Sequence, residues 1–89
     1  TIYIKDKQYD NILIEPYSRV MKSEYGAQQE SNYLLMIDKA NTPDYEELKE
    51  LLVQGESIKY DDTFHTILSR EPIYDRLHGI EHHLEVVLL

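Results

Sequence analysis

The chain of 89 residues contains no cysteine and no tryptophan, and only three glycines and three prolines. The absence of cysteine excludes disulfides and thiolate metal sites, so the fold must be held together by packing or by assembly. It also fits a reducing compartment. The three glycines, at positions 26, 55 and 79, lie too far apart to form a glycine-rich loop that cradles phosphates.

Basic residues are scarce, because 9 Lys and Arg face 17 Asp and Glu, and the formal net charge is −8. A groove that clings to phosphates needs clustered Lys and Arg, so we do not expect nucleic-acid binding. The acidic surplus suits solubility, a basic partner, or a surface that must not hold DNA. No apolar run approaches the ~20 residues of a membrane span, and we expect no membrane association.

Residues 1–6 do not resemble a signal peptide. Because the chain begins with Thr1 rather than Met, we expect that something upstream was removed or is missing.

Tyrosine is the abundant aromatic residue, with eight Tyr against one Phe. Tyrosine suits half-buried strands and also subunit interfaces, where the ring packs and the hydroxyl stays in water. The excess therefore indicates either a β-rich composition or an interface.

Short stretches of alternating or β-branched residues predict a mainly β chain that forms a single domain over residues 1–89. One short helix is predicted over residues 44–52, with Leu48, Leu51 and Leu52 as its apolar stripe. The stretch at 31–38 is apolar on both faces and should be a central strand. The predicted strands cover residues 1–5, 9–19, 31–38, 58–60, 63–68 and 80–89.

Residues 55–68 predict a β-hairpin with Asp61-Asp62 as its turn, since Asp tolerates unusual φ angles. A two-residue turn places Tyr60 opposite Thr63 and Ile58 opposite His65. Phe64 and Leu68 then lie on the other face. Because both faces of the second strand carry apolar groups, we expect a barrel strand whose outer face meets the helix or another protein chain.

Residues 20–31 lack any steady period, and Gly26 with its polar neighbours predicts a loop, with a weak helix as the alternative. We expect an exposed, mobile loop at about residues 21–31. Loops of this length in small domains are often functional.

Histidines 78, 82 and 83 cluster near Asp75 and Glu81 and raise the question of a metal site. Gly79 argues against a helix here, and on a strand His82 and His83 would point to opposite faces. No nucleophile stands in a recognisable setting. We therefore expect no catalytic, cofactor-binding or metal-ligating residues and no enzymatic activity. Metal analysis of the purified protein would test the competing hypothesis of a small histidine metalloprotein.

An ordered set of segments resembles the minor capsid or head–tail connector (head-closure) proteins of tailed bacteriophages with Gram-positive hosts. Two positions depart from that pattern, since the family usually has Gly where Asp62 stands and an aromatic residue where His65 stands. An N-terminal strand is also missing relative to the family. The segments that carry the resemblance are residues 11–16, 19–20, 37–42, 55–62, 67–68, 72–75 and 82–88.

The resemblance implies a small antiparallel β-barrel, SH3-like or connector-type, that assembles as a ring below the portal and seals the filled head. The implied partners are further copies of the chain, a portal or adaptor protein and a tail protein, and DNA passes through without specific binding. The implied location is the virion, after assembly in the bacterial host cytoplasm.

The alternative function is a small β-barrel module that binds a peptide or protein at an open sheet edge, including a phage-encoded inhibitor of a host protein.

Two sets of residues follow as hypotheses about the ring. Acidic residues would give its channel a negative lining along which DNA slides. A second set of residues would contact a neighbouring subunit or partner. The predicted contact residues are Tyr3, Tyr25, Gly26, Phe64 and Leu68, and the predicted channel residues are Glu24, Glu30, Asp61 and Asp62.

Overall fold

The computed structural model describes residues 1–23 and 26–89, and for residues 18–23 and 26–31 it describes the backbone alone. The described residues form strands and a single short helix, and all paired strands are antiparallel. The predicted mainly β class with one short helix is therefore confirmed. In chain order the elements are β1 (Ile2–Ile4), β2 (Lys7–Tyr9), β3 (Leu13–Ser23), β4 (Gly26–Asp38), α1 (Tyr45–Leu51), β5 (Ser57–Tyr60), β6 (Thr63–Asp75) and β7 (Ile80–Leu88).

The strands form one sheet in the order β2-β1-β5-β6-β7-β4-β3. In the described part of the chain, no hydrogen bonds join β2 to β3, so the sheet has two edges. The antiparallel sheet that the sequence predicts is present, but its closure into a barrel is not confirmed. The long strand β6 connects the two halves, pairing first with β5 and then with β7, and its register shifts between Ile67 and Ser69. Such a bulge bends a strand and increases its twist.

One face of the sheet is buried, and the alternation along each strand decides which residues face it. In β7, Leu84, Val86 and Leu88 are fully buried, as the sequence predicts. The helix covers this face with Leu48 and Leu52, while Leu51 is half-buried. The buried apolar residues of the described chain are Ile2, Ile4, Tyr9, Leu35, Ile37, Tyr45, Leu48, Leu52, Ile58, Ile67, Leu84, Val86 and Leu88.

Polar contacts also fasten the helix to the sheet. The Tyr45 hydroxyl donates to Glu81 Oε2 at 2.6 Å, and Lys49 Nζ donates to Glu81 Oε1 at 2.5 Å. Arg70 donates from the sheet to the Lys49 carbonyl oxygen at 2.6 Å. The hydrogen bond from Lys49, followed by that from Tyr45, holds the pKa of Glu81 below its usual range. Burial, then the bond to Glu81, raises the pKa of Tyr45.

The β5–β6 hairpin has the predicted register, with Tyr60 opposite Thr63 and Ile58 opposite His65. Asp61 and Asp62 both have positive φ angles, 52° and 59°, which is the geometry of a two-residue hairpin turn of type I′. The turn chemistry of this stretch was therefore sufficient to predict its pairing.

His65 faces the core, as its place opposite Ile58 predicts, and it packs against aromatic rings. Its ring centroid lies 5.1 Å from that of Tyr33 and 6.1 Å from that of Tyr60. Its Nδ1 lies 2.9 Å from the Leu89 carbonyl oxygen, and because a carbonyl only accepts, Nδ1 carries the proton. His65 thus takes the place of a buried aromatic residue.

The predicted loop at residues 21–31 is wrong, because β3 continues to Ser23 and β4 begins at Gly26. The last pair between β4 and β7 is Tyr33 with Leu88, so the pairs from Tyr17–Asn32 outward join only β3 and β4. We call residues 17–23 and 26–32 the β3–β4 arm. A ribbon that is held together by pairing between its own two strands needs no apolar alternation, so periodicity does not reveal it. The predicted mobility stays a prediction.

The arm lengthens the molecule. Its seven paired residues per strand span about 23 Å at the usual rise per residue. The radius of gyration is 14.2 Å, whereas a compact domain of this length has about 12 Å. The arm therefore projects from the domain instead of folding back over it.

Candidate functional site

Two of the predicted contact residues lie in one row across the sheet. Tyr3 is paired with Lys59, and Lys59 with Phe64, so the three side chains stand side by side on the face away from the core. Tyr3 is 43% exposed and Phe64 73% exposed. Lys59 Nζ lies 6.0 Å from the Phe64 ring centroid. Exposed aromatic side chains grouped in this way are typical of interfaces.

Asp61 and Asp62, predicted to line a channel, form the turn next to this aromatic row. Both are exposed, and Asp62 lies 3.9 Å from Lys59 Nζ. An exposed ion pair of this length adds little stability. The two carboxylates are therefore available at the surface.

The structure does not gather the remaining predicted site residues around this turn. Leu68 is half-buried and lies at the register shift of β6 between Ile67 and Ser69. Because the shift interrupts the alternation of the strand, alternation does not place Leu68 on the same face as Phe64. Gly26 begins β4, and Glu30 belongs to the same arm, although its side chain lies outside the description. Glu24 and Tyr25 lie outside the described residues. In the sheet, β7 separates the β3–β4 hairpin, which contains these residues, from the β5–β6 hairpin.

A second surface, which sequence reasoning missed, is a groove on the outer face of β3, β4, β7 and β6. We call it the outer groove. Its volume is about 230 Å³. Leu34 stands opposite Val87, and Glu71 stands directly opposite Glu85. The groove is lined by Tyr17, Leu34, Ser69, Glu71, Glu85 and Val87.

The pairing of Glu71 with Glu85 is unfavourable for the isolated chain. Like charges directly opposite each other on neighbouring strands destabilise a sheet, by up to about 1 kcal/mol. Alternation alone places Glu85 and Val87 on the outer face of β7. However, the groove forms only when four strands pair in the right register, and the alternation within one strand does not predict that register.

Histidines 82 and 83 fix the position of the Glu85 carboxylate. His83 Nε2 lies 2.9 Å from Glu85 Oε2 and therefore donates to it. The Nδ1 atoms of His82 and His83 lie 2.9 Å apart, so a hydrogen bond joins the two rings. The rings of His82 and His83 meet edge to face, with centroids 5.1 Å apart.

Among residues 1–17 and 32–89, whose side chains the structure describes, no group of three or more His, Asp or Glu side chains could hold a metal ion. His78 instead contacts Asp75, with Nδ1 2.9 Å from Oδ2. That hydrogen bond, followed by one from the Leu77 N–H, holds the pKa of Asp75 below its usual range. The histidines thus act as hydrogen-bonding partners of carboxylates in this structure.

Asn32 lies beside the outer groove. Its residue is 3% exposed, it stands opposite Tyr17, and it shares the outward face of β4 with Leu34. Neither its Oδ1 nor its Nδ2 has a hydrogen-bond partner in the part of the chain that the structure describes. A buried amide without partners costs about 1–3 kcal/mol. Among the described residues, the Asn32 amide therefore lowers the stability of the fold.

Comparison with models of protein families, with curated proteins and with solved structures found no match for this chain. Among the described residues, no helix has both the length and the apolar character needed to cross a membrane.

Proposed function

We propose that this chain is a structural subunit of a ring in the virion of a tailed bacteriophage, the head-closure or head–tail connector between portal and tail. The resemblance of its ordered segments motivates this function. The observation that carries it in the structure is the β3–β4 arm, which projects beyond the sheet and leaves strand edges without partners among the described residues.

The arm suits a subunit that is completed by its neighbours. An isolated two-stranded ribbon is marginally stable at best in water. An unpaired strand edge is also a template for pairing with another chain. In a ring, the neighbouring subunit, the portal or adaptor, or the tail protein supplies the surface on which such an arm rests.

The acidic surface fits the passage of DNA through the ring. The net charge is −8, and the exposed Asp61 and Asp62 add a local negative site. Repulsion between these carboxylates and the DNA phosphates lets the DNA pass through the ring without adhering. The aromatic row of Tyr3, Lys59 and Phe64 beside the turn provides a contact surface for a neighbour.

The direct test is to locate the chain in virions. A tag at the exposed Ala40, followed by electron microscopy of labelled particles, should show density in a ring between head and tail. Particles that lack the chain should contain filled heads without joined tails. Its absence from mature virions, or normal joining in its absence, would contradict the proposal.

A second candidate is a module that binds an extended peptide or protein segment at a sheet edge. It is favoured by the open edges at β2 and β3 of the described sheet. In that case the purified chain would be a monomer that gains a strand on binding a peptide, and virions would contain no ring of it. Backbone amide exchange along β2 and β3, with and without the peptide, distinguishes the two functions.

A further inference from the structure

The turn between β6 and β7 presents an exposed basic and apolar tip. We call residues 76–79 the β6–β7 tip. Arg76 is exposed, and Leu77 is 89% exposed. Arg76 forms no ion pair with any side chain that the structure describes. Two further apolar side chains, Tyr74 and Ile80, are exposed at the base of the tip.

The tip is held in one conformation by Asp75. The Leu77 N–H donates to Asp75 Oδ1 at 2.9 Å, and the Gly79 N–H donates to the Asp75 carbonyl oxygen at 2.7 Å. Gly79 has φ +64°, where a side chain would be strained. A preorganised loop loses little conformational entropy when it binds. The exposed Arg76 and Leu77 are therefore presented on a fixed scaffold.

The outer groove has the complementary charge and shape. Glu71 and Glu85 face each other across neighbouring strands, and the His83 ring holds the Glu85 carboxylate in place. Leu34 and Val87 form an apolar wall beside them. A volume of about 230 Å³ lies below the ~300 Å³ at which pockets for drug-sized ligands begin. The groove therefore suits a long side chain or a turn rather than a metabolite.

A guanidinium group explains the like-charged pair better than an ammonium group does. Its planar fork of donors can bond two carboxylates at once, whereas lysine presents a compact point charge. The like-charged pair therefore indicates a protein segment that carries an arginine.

The tip cannot reach the groove of its own chain. Glu71 and Arg76 lie on the same hairpin, five residues apart, which corresponds to about 17 Å along an extended strand. A contact between the tip and the groove must therefore join two molecules. Because the two surfaces differ, the contact is head-to-tail, and repetition of such a contact closes a ring when the rotation permits.

We infer that the β6–β7 tip of one copy inserts into the outer groove of a second copy, with Arg76 between Glu71 and Glu85 and Leu77 against Leu34 and Val87. This inference rests on the proposed ring function and specifies the contact between its subunits. The occupant is this same chain, because it supplies the arginine, the adjacent leucine and the acidic groove.

Sedimentation equilibrium of the purified chain tests the contact with two variants. One carries Arg76→Glu in the tip, and the other carries Glu71→Arg with Glu85→Arg in the groove. The wild-type chain should associate with increasing concentration, and each variant alone should dissociate at least about tenfold more readily. In an equimolar mixture the intact tip of one variant fits the intact groove of the other, and the reversed charges of the two altered surfaces also attract each other, so association should be restored towards that of the wild type.

Lys5→Glu serves as the matched control, because it makes the same charge change in an exposed turn at the other side of the sheet. It should associate as the wild type does. Circular dichroism establishes that each variant is folded. If a tip or groove variant fails to fold, Leu77→Ser in an otherwise wild-type chain supplies the second test and should also weaken association.

A wild-type chain that stays monomeric at all concentrations would overturn the inference, as would folded variants that associate normally or a mixture in which association is not restored. So would binding of an arginine-containing peptide from another protein by a monomeric chain. The outcome is separable from the proposed function. Virions whose ring persists when the tip variant alone or the groove variant alone replaces the wild-type chain would refute this contact and leave the connector function intact.

Discussion

Glu81 accepts hydrogen bonds from both Tyr45 and Lys49 and thereby joins the helix to β7. Its side chain is 9% exposed. We expect Glu81→Gln to lower the free energy of unfolding at pH 7 by about 1–2 kcal/mol, because a charged acceptor of two bonds is lost. Urea denaturation of the two chains at pH 7 measures the difference.

The effect of Glu81→Gln should depend on pH in a defined direction. The folded-state pKa of Glu81 lies below its usual value. Its contribution is therefore complete above the unfolded-state pKa and is lost as the pH falls through the folded-state pKa. The difference between the two chains should shrink at acidic pH. Glu50→Gln, at an exposed position of the same helix, should show no such difference at any pH. If the wild type and Glu81→Gln differed in the free energy of unfolding by the same amount at pH 7 and at acidic pH, this explanation would be contradicted.

Asp62 has φ 59°, a conformation that glycine adopts without steric cost. We expect Asp62→Gly to raise the free energy of unfolding by about 0.5–1 kcal/mol, since type I′ turns favour glycine. The ion pair that it removes is long and exposed. Asp62→Ala removes the same carboxylate but keeps a Cβ, so it should not stabilise. Thermal denaturation of both variants tests this, and equal stabilisation by Ala would contradict the conformational explanation.

At the scale of elements, the β3–β4 arm is separable from the core. In the described backbone, its residues pair only with each other and not with β7. Arg19 and Glu30 stand directly opposite each other. Replacing residues 20–29 with an Asn-Gly turn should therefore keep the fold and change the free energy of unfolding by no more than about 1 kcal/mol, since loop-closure entropy varies slowly with length.

If the chain is the connector subunit that we propose, the shortened arm should nevertheless abolish joining of heads to tails. Complementation of phage that lack the chain gives the measurement, and the yield of joined particles should fall to that of the empty control. A substitution within the arm that keeps its length, Gln28→Ala, is the matched control. Full joining by the shortened chain would exclude the arm from assembly.

Elements defined by local chemistry were predictable from the sequence, whereas those defined by pairing partners were not. The Asp61-Asp62 turn fixed the register of β5 and β6, and the spacing of Leu48 and Leu52 marked the buried side of the helix. The arm was missed because Gly26 and its polar neighbours are typical of loops. The outer groove was missed because Glu71 and Glu85 become neighbours only through the register of β6 with β7.

At the scale of the whole molecule, two sides of the sheet have different roles. The inner face holds the core and the helix, and the outer face carries the aromatic row and the outer groove. The outer groove contains a like-charged pair, which reduces the stability of a single chain. Departures of this kind from local optimality are expected where function, not folding, selects the residue.

The charge of the molecule gives the last prediction, which rests on the proposed ring. Asp61→Lys with Asp62→Lys changes the charge of each subunit by +4, from −8 to −4, at an exposed turn. If this turn lines the channel, lysines there would hold the DNA phosphates and slow the ejection of DNA from virions. The slowing should weaken as salt is added, since salt screens contacts with phosphate.

Glu46→Lys with Glu50→Lys makes the same charge change on the exposed side of the helix and should leave ejection unaffected. Time-resolved fluorescence of ejected DNA measures the rates. If both double variants slowed ejection equally, net charge alone would explain the effect. If the turn variant ejected DNA at the wild-type rate, Asp61 and Asp62 would lie outside the channel.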